Sequence, residues 1–272
     1  MTLANTLRGR KIASQVLEHM VGRIEATPAI ESPFTHVYIE NIFPDAVYRQ
    51  LLEALPAPEL FQASAERHHG DGEGDYVRSM FSLNSSNLPK LNAAQDSVMR
   101  GIASALTAPE LKRAMYAKLG ADLTFRYGAK AGNPADLAGH ARPTLYRETE
   151  GFEIPPHPDT RKKVVTMHLY LPADASQIEL GTALYRRSLL GLPVGNWRNR
   201  FTKLKQFKFL PNSGYAFVVN NTLTKKSWHG RETLPPNSGV RNTLLNTFYE
   251  EARDGFGDYF PAAGETGQAR AA

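Results

Sequence analysis

No cysteine occurs anywhere in the 272 residues. That absence excludes disulfides, thiolate-held Fe–S clusters and every Cys-ligated zinc site. Any metal bound by this chain must therefore be held by histidine and carboxylate groups. Long apolar runs are also missing. Nothing approaches the roughly 20 residues that a membrane-crossing helix needs. The opening stretch MTLANTLRGRKIASQVLEHM scatters charges where a secretory signal would carry an apolar segment. A cytoplasmic protein without membrane attachment is expected. Acidic residues are in mild deficit, 27 against 32 Lys and Arg, for a formal net charge of +5. The surplus lies in 8–11, 161–163, 186–208 and 225–226. No nucleic-acid reader motif accompanies it, so solvated lysines on strand edges, which deter edge-to-edge pairing, are the simpler reading. The same charge would suit an anionic small-molecule substrate. A homodimer is compatible with the composition.

Hydrophobic residues make up 42%, which places the chain among ordinary globular proteins large enough to bury a core. Within residues 1–30, Ile12, Val16, Leu17, Met20, Val21 and Ile24 recur at helical spacing, ending before Pro28 and Pro33. Residues 34–41 alternate like a strand, and 44–55 read as an amphipathic helix. Residues 63–76 are glycine-rich and acidic. His68 and His69 lie there among acids, but adjacent side chains diverge, so a lid over a site is the better reading. A helical pattern returns over 89–119, and a Gly/Pro/Ala-rich loop spans 128–143. The pattern then changes to short strands, at 144–148, 152–159, 164–172, 179–187, 207–211, 214–221, 227–232 and 242–250. Eight short strands without a helical period between them mean a sandwich or barrel. The expected fold is mainly β with flanking helices, built on a double-stranded β-helix (jelly roll, cupin-like) core. Residues 1–120 would pack on a core of 121–254, with a flexible tail over 255–272, as a single domain overall.

The densest chemistry lies at His157-Pro158-Asp159. Two residues apart on an extended backbone, an imidazole and a carboxylate point to the same side and can take adjacent positions on one metal ion. His229, in Ser227-Trp228-His229-Gly230, offers the third ligand. Two histidines and one carboxylate on one face of an octahedral ion leave three positions open, as in non-heme Fe(II) oxygenases. Each piece alone is common; their order carries more weight. Arg241 follows at the start of the last strand, and a guanidinium fork suits bidentate clamping of a carboxylate. Thr243 lies two residues on, on the same strand face.

In this order the residues resemble the Fe(II)/2-oxoglutarate-dependent dioxygenases, prolyl-hydroxylase-like branch, over roughly residues 120–250, with a weaker echo in 34–55. The resemblance implies that His157, Asp159 and His229 bind Fe(II), and that 2-oxoglutarate chelates the metal while Arg241 pairs with its distal carboxylate. Thr243 would add a hydrogen bond. Tyr170 matches a tyrosine that touches the same carboxylate, and Tyr146 matches another cosubstrate contact. Thr166 and His168 share the strand face of Tyr170 and would line that pocket, although His168 fits a satisfied core position equally well. The implied reaction consumes O2, releases succinate and CO2, and hydroxylates an unactivated C–H bond of a small-molecule or sugar-containing metabolite. A carboxylate at Asp159 favours hydroxylation over halogenation, while desaturation or ring closure would use the same ligands. Arg142, Arg147 and Arg231 fall near the expected mouth and would hold an anionic substrate. Trp228 reads as core, and Asn220 as a turn residue or a partner to a metal ligand. Two rival readings stay open: a cupin-type metal enzyme (an isomerase or another dioxygenase), and a non-catalytic jelly-roll binding protein.

Overall fold

The computed structural model describes residues 3–64, 77–188 and 197–255. The expected lid over 63–76 and the expected tail over 255–272 therefore fall, but for their first residues, outside the described residues.

Helix α1 (Leu3–Ala26) buries Gly9, Ile12, Val16, Met20 and Ile24, one face at steps of three and four. Strand β1 (His36–Glu40) and helix α2 (Asp45–Glu53) follow where the periodicity puts them. Strands β2 (Gln62–Ala63) and β3 (Arg78–Ser82) come next and were not foreseen. The helical stretch expected over 89–119 is two helices, α3 (Ala93–Thr107) and α4 (Pro109–Lys118). Pro109 forces the break, because it lacks an N–H and pushes the extended Ala108 (φ −63°, ψ 137°) out of helical geometry. Asn92 opens α3 with a capping box, its side chain accepting from Ala94 and Gln95 while Gln95 answers to the Asn92 N–H. A short helix, α5 (Gly120–Tyr127), completes the helical part.

Eight strands follow: β4 (His140–Glu148), β5 (Ile154–His157), β6 (Lys163–Tyr170), β7 (Ala183–Arg187), β8 (Phe201–Gln206), β9 (Ser213–Val218), β10 (His229–Arg231) and β11 (Arg241–Tyr249). The larger sheet runs β1-β9-β6-β11-β4-β3-β2 and the smaller one β5-β10-β7-β8. Every step from β4 to β11 crosses between the sheets except β7 to β8, which pair directly. This alternation is a double-stranded β-helix, the expected jelly roll. Its fifth strand is not the expected 207–211. Phe207 and Phe209 are buried between the sheets and anchor the turn from β8 to β9, so their hydrophobicity marks a corner, not a strand. The strand itself is the Lys-bearing edge β8, with Thr202, Lys203 and Leu204 exposed, as suits an unpaired edge.

The larger sheet separates two cores. On its outer face Val37, Ile39, Leu145, Val165, Met167, Leu169, Ala216, Val218, Leu244 and Phe248 join the residues of α1–α4. On its inner face Tyr170, Tyr215 and Phe217 meet Leu184, Phe207 and Phe209. Among the described residues no helix is long and apolar enough to cross a membrane. The helical layer is tight where α1 meets α3: a Cβ on Gly101 would stand 2.6 Å from the Gly9 carbonyl and 2.9 Å from Ile12. Gly101→Ala should therefore force the two helices apart and lower stability by about 1–3 kcal/mol despite alanine's better helix propensity. Thermal denaturation measures it; an unchanged or raised melting temperature would contradict this packing.

Candidate metal centre

His157 ends β5, His229 begins β10, and the two are directly opposed in the antiparallel pairing. Their rings lie 4.5 Å apart, tilted by 47°. Gly230 permits this approach, since a Cβ there would meet the Ile154 carbonyl at 2.7 Å and the Pro156 nitrogen at 3.0 Å. Asp159 stands two residues beyond β5, and one ligand atom from each of His157, Asp159 and His229 falls within 4.8 Å of the others.

The protonation of this set follows from its partners. His157 Nδ1 lies 3.0 Å from the Pro155 carbonyl and His229 Nδ1 lies 2.9 Å from the Ser227 carbonyl. A carbonyl can only accept, so both rings carry a proton on Nδ1 and turn Nε2 toward Asp159, at 4.0 Å from His157 and 3.8 Å from His229. Burial, then the neighbouring His157, pushes His229 down to about 4, so it is neutral at ordinary pH. Burial opposes ionisation of Asp159, but the Lys163 ammonium and the two imidazoles more than offset it and hold the carboxyl well below the usual range. Lys163 Nζ donates to Asp159 Oδ1 at 2.7 Å and Thr166 Oγ1 to Oδ2 at 2.8 Å. Thr166 thus serves the metal end of the interior, whereas the expectation had it beside the cosubstrate.

His229 is aimed from a distance. Asp122 on α5 is buried and accepts hydrogen bonds from the Thr35 N–H and hydroxyl, from Asn220 Nδ2 at 2.6 Å, and from Lys225. Asn220 in turn exchanges backbone and hydroxyl bonds with Ser227, whose carbonyl takes the His229 Nδ1 proton. Asn220 therefore braces the loop instead of a ligand, while Asn221 donates to the Asp159 backbone carbonyl at 3.2 Å. Trp228 is only half-buried, edge-on to Phe201 with the Lys226 ammonium over its ring, and not the core residue expected.

The far end of the interior is built by register. Thr243 on β11 lies opposite Tyr170 on β6 and Tyr146 on β4, so the three form one inward row. Arg241, 3% exposed, heads the next row opposite Glu148. Its Nε donates to the Leu180 carbonyl at 2.8 Å, Nη1 pairs with Glu148, and its guanidinium lies 4.5 Å from the Phe209 ring centroid. Arg78 on β3 takes the other oxygen of Glu148 at 3.2 Å and stacks 4.1 Å over Tyr146. The Tyr170 hydroxyl accepts from the Thr182 N–H at 3.1 Å. His168 lies between the two ends, stacked on Tyr215 at 4.8 Å and 6.5 Å from the His229 ring; burial drives its pKa well below the ordinary value, so it is neutral.

The three arginines expected at the mouth fall in three different places. Arg142 lines a cavity of about 190 Å³ together with Thr144, Tyr146, Lys163 and Thr247. Arg147 pairs with Asn242 and Ser79 and leaves the opposite sheet face, because it is one residue out of phase with Tyr146 and Glu148. Arg231 is buried, 4% exposed. Glu148, Arg78, Lys163 and Asp122 were not anticipated. Period 2 from Tyr146 would have turned Glu148 inward; nothing local marks the other three.

Asp122→Ala would strand the Lys225 charge and the Asn220 amide, and should cost about 3–5 kcal/mol. Although Asp122 touches no metal ligand, divalent-metal affinity should fall about 10-fold or more with it. A melting curve and a metal titration test this together; lowered stability with unchanged affinity would disprove the bracing role. His157→Ala and His229→Ala should each abolish tight metal binding with the fold retained by circular dichroism.

No protein-family model and no curated protein sequence matches the chain. Among solved structures, it is similar to a Pseudomonas putida prolyl-4-hydroxylase, with 12% identity and a TM-score of 0.47, covering 88% of this chain and 99% of that one. It is similar to the non-heme alpha-ketoglutarate-dependent epimerase SnoN from nogalamycin biosynthesis, at 12% identity and a TM-score of 0.47, over 92% and 91%. A dioxygenase for auxin oxidation from rice follows at 12% and 0.46, over 86% and 78%.

Proposed function

We propose that this chain is an Fe(II)- and 2-oxoglutarate-dependent dioxygenase that hydroxylates an unactivated C–H bond of a small-molecule or sugar-containing metabolite, consuming O2 and releasing succinate and CO2. One observation carries the reading. A two-histidine, one-carboxylate set stands at one end of an enclosed polar interior whose other end holds a buried arginine. The groups between them are unfinished: the Thr243 hydroxyl, 0% exposed, and Arg231 Nε have no hydrogen-bond partner among the described residues. Buried donors without acceptors cost about 1–3 kcal/mol each, and a carboxylate would supply the missing acceptors. The donor set fits a divalent metal at one end and an acid at the other. Among the described residues the metal cluster has three members, so one face of an octahedral ion is left for a chelating cosubstrate and for O2.

Iron with 2-oxoglutarate supplies the oxidising power for C–H cleavage, which no side chain here has. The residues supply position and dryness. His157, Asp159 and His229 hold the ion, and Lys163 and Thr166 fix the plane of the Asp159 carboxylate. Arg241 and Thr243 receive the distal carboxylate, with Tyr170 and Tyr146 flanking it in the same row. Neutral His168 packs against Tyr215 beside this row and adds no charge. Arg142 and Lys163 line one cavity beside Thr144, Tyr146 and Thr247, and a substrate bearing an acidic group would meet them there. Lys163 also contacts Asp159, so that cavity reaches the metal centre.

Anaerobic titration of the protein with Fe(II) and then 2-oxoglutarate should produce the weak visible charge-transfer band of a chelated 2-oxo acid. A folded, iron-loaded sample without it would sink the proposal. Arg241→Met should raise the 2-oxoglutarate needed to develop the band by roughly 10- to 100-fold, as loss of a charged hydrogen bond implies, while leaving iron affinity unchanged.

A further inference from the structure

Arg231 is a buried cation whose unpartnered Nε counts toward the dioxygenase reading but to which the roles above assign no ligand contact. It follows His229 by two residues on β10, across a register shift against β5, and its burial and its bond to the Gly181 carbonyl place it in the interior. Its Nη1 donates to the Gly181 carbonyl at 3.2 Å, next to the Leu180 carbonyl that takes Arg241 Nε, and the N–H of Thr182 binds the Tyr170 hydroxyl. Three consecutive residues, 180–182, thus hold two guanidiniums and a phenol side by side. The segment cannot drift, because a Cβ on Gly181 would collide with the Phe207 carbonyl.

Among the described residues Arg231 and Arg241 lie near one buried carboxylate, Glu148, whose oxygens already meet Arg78 and Arg241. The nearby Glu232 is half-exposed and bound to Lys203 at 3.0 Å. The Arg231 Nε, buried and without a partner among the described residues, is a donor in want of an anion.

Taking the dioxygenase reading as given, we infer that Arg231 is a second anchor for the distal carboxylate of 2-oxoglutarate, which bridges Arg231 and Arg241 with one oxygen toward each. Two guanidiniums on one carboxylate would make the site selective for a dicarboxylic 2-oxo acid over a monocarboxylic one.

Calorimetry on the Mn(II)-loaded protein tests this without turnover. Arg231→Gln should weaken 2-oxoglutarate roughly 10- to 100-fold. Its affinities for Mn(II) and for 2-oxopentanoate, which has a methyl in place of the distal carboxylate, should not change. Equal 2-oxoglutarate affinity in wild type and variant would overturn the inference. Should Arg231→Gln fail to fold, Arg241→Met decides. With Arg231 still present, that variant should keep about a 10-fold preference for 2-oxoglutarate over 2-oxopentanoate; a preference reduced to none would overturn the second anchor. Wild-type protein that binds Mn(II) but no 2-oxoglutarate would remove the dioxygenase reading itself, whereas a null result confined to the Arg231 arms removes the anchor alone.

Discussion

Register along β11 is the constraint on which everything else depends. This strand lies between β4 and β6, and its nine residues alternate between two environments that could hardly differ more. Leu244 and Phe248 enter the helix-covered core, where Asn246 also reaches the Leu106 carbonyl. Arg241, Thr243 and Thr247 enter the polar interior. A slip of one residue would exchange the two sets, burying a guanidinium among leucines and leaving the interior lined with hydrocarbon. Desolvating an unpaired charge costs several kcal/mol, far more than a pairing error elsewhere in the sheet. The charged interior thus helps to specify the register that creates it, with the outer apolar core as the second guarantor.

The interior divides its charge along β6 and β11. At the Thr166–Thr247 row one acid faces two imidazoles and the Lys163 ammonium. At the Tyr170–Thr243 row and beyond, guanidiniums predominate. A ligand with a metal-binding head and an acidic tail is complementary to this polarity, while a neutral or reversed ligand is not. Glu148 has a separate part. By joining Arg78 to Arg241 it fixes the arginine's pose through two oxygens, so that the guanidinium is preorganised before a ligand arrives. It also keeps Arg241 from collapsing onto any other acceptor.

Much of this was legible in the residues alone, for a physical reason. Period 2 put His157 beside Asp159 and Thr243 beside Arg241, and β11 with its neighbours obeys that period without a bulge across these positions. The same rule, applied strictly, would have kept Arg147 out and brought Glu148 in. Arg231 was legible as inward from His229, but its depth was not, since depth depends on where β7 and the 180–182 turn pass over it. The fifth strand was misplaced because Phe207 and Phe209 carry the hydrophobicity of a strand while serving as corner anchors. Strand β3, and Arg78 with it, was missed because five residues paired to β4 at the sheet's extension have no periodic signature of their own. Lys163 lies only four residues beyond Asp159, but no helical period there marks the two as partners, and Asp122 acts across about a hundred residues, which no local pattern records.

That last pair bears on what the N-terminal helices are for. Helix α5 lies outside the eight core strands, yet its Asp122 holds the loop that aims His229, and its Arg126 grips the Lys163 and Val219 carbonyls at 2.6 and 2.7 Å. One short helix therefore braces β6 just before the residues that fix Asp159, and β9 just before the loop that leads to the second histidine. Short strand β10 offers only three residues of ladder to hold His229 and Arg231, too little to fix two functional side chains by itself. The missing rigidity comes from helix to loop to ring: Asp122 to Asn220, Asn220 to Ser227, Ser227 to the His229 Nδ1 proton. In that sense the helical segment completes the candidate metal centre, since it sets the direction in which the second imidazole turns its Nε2.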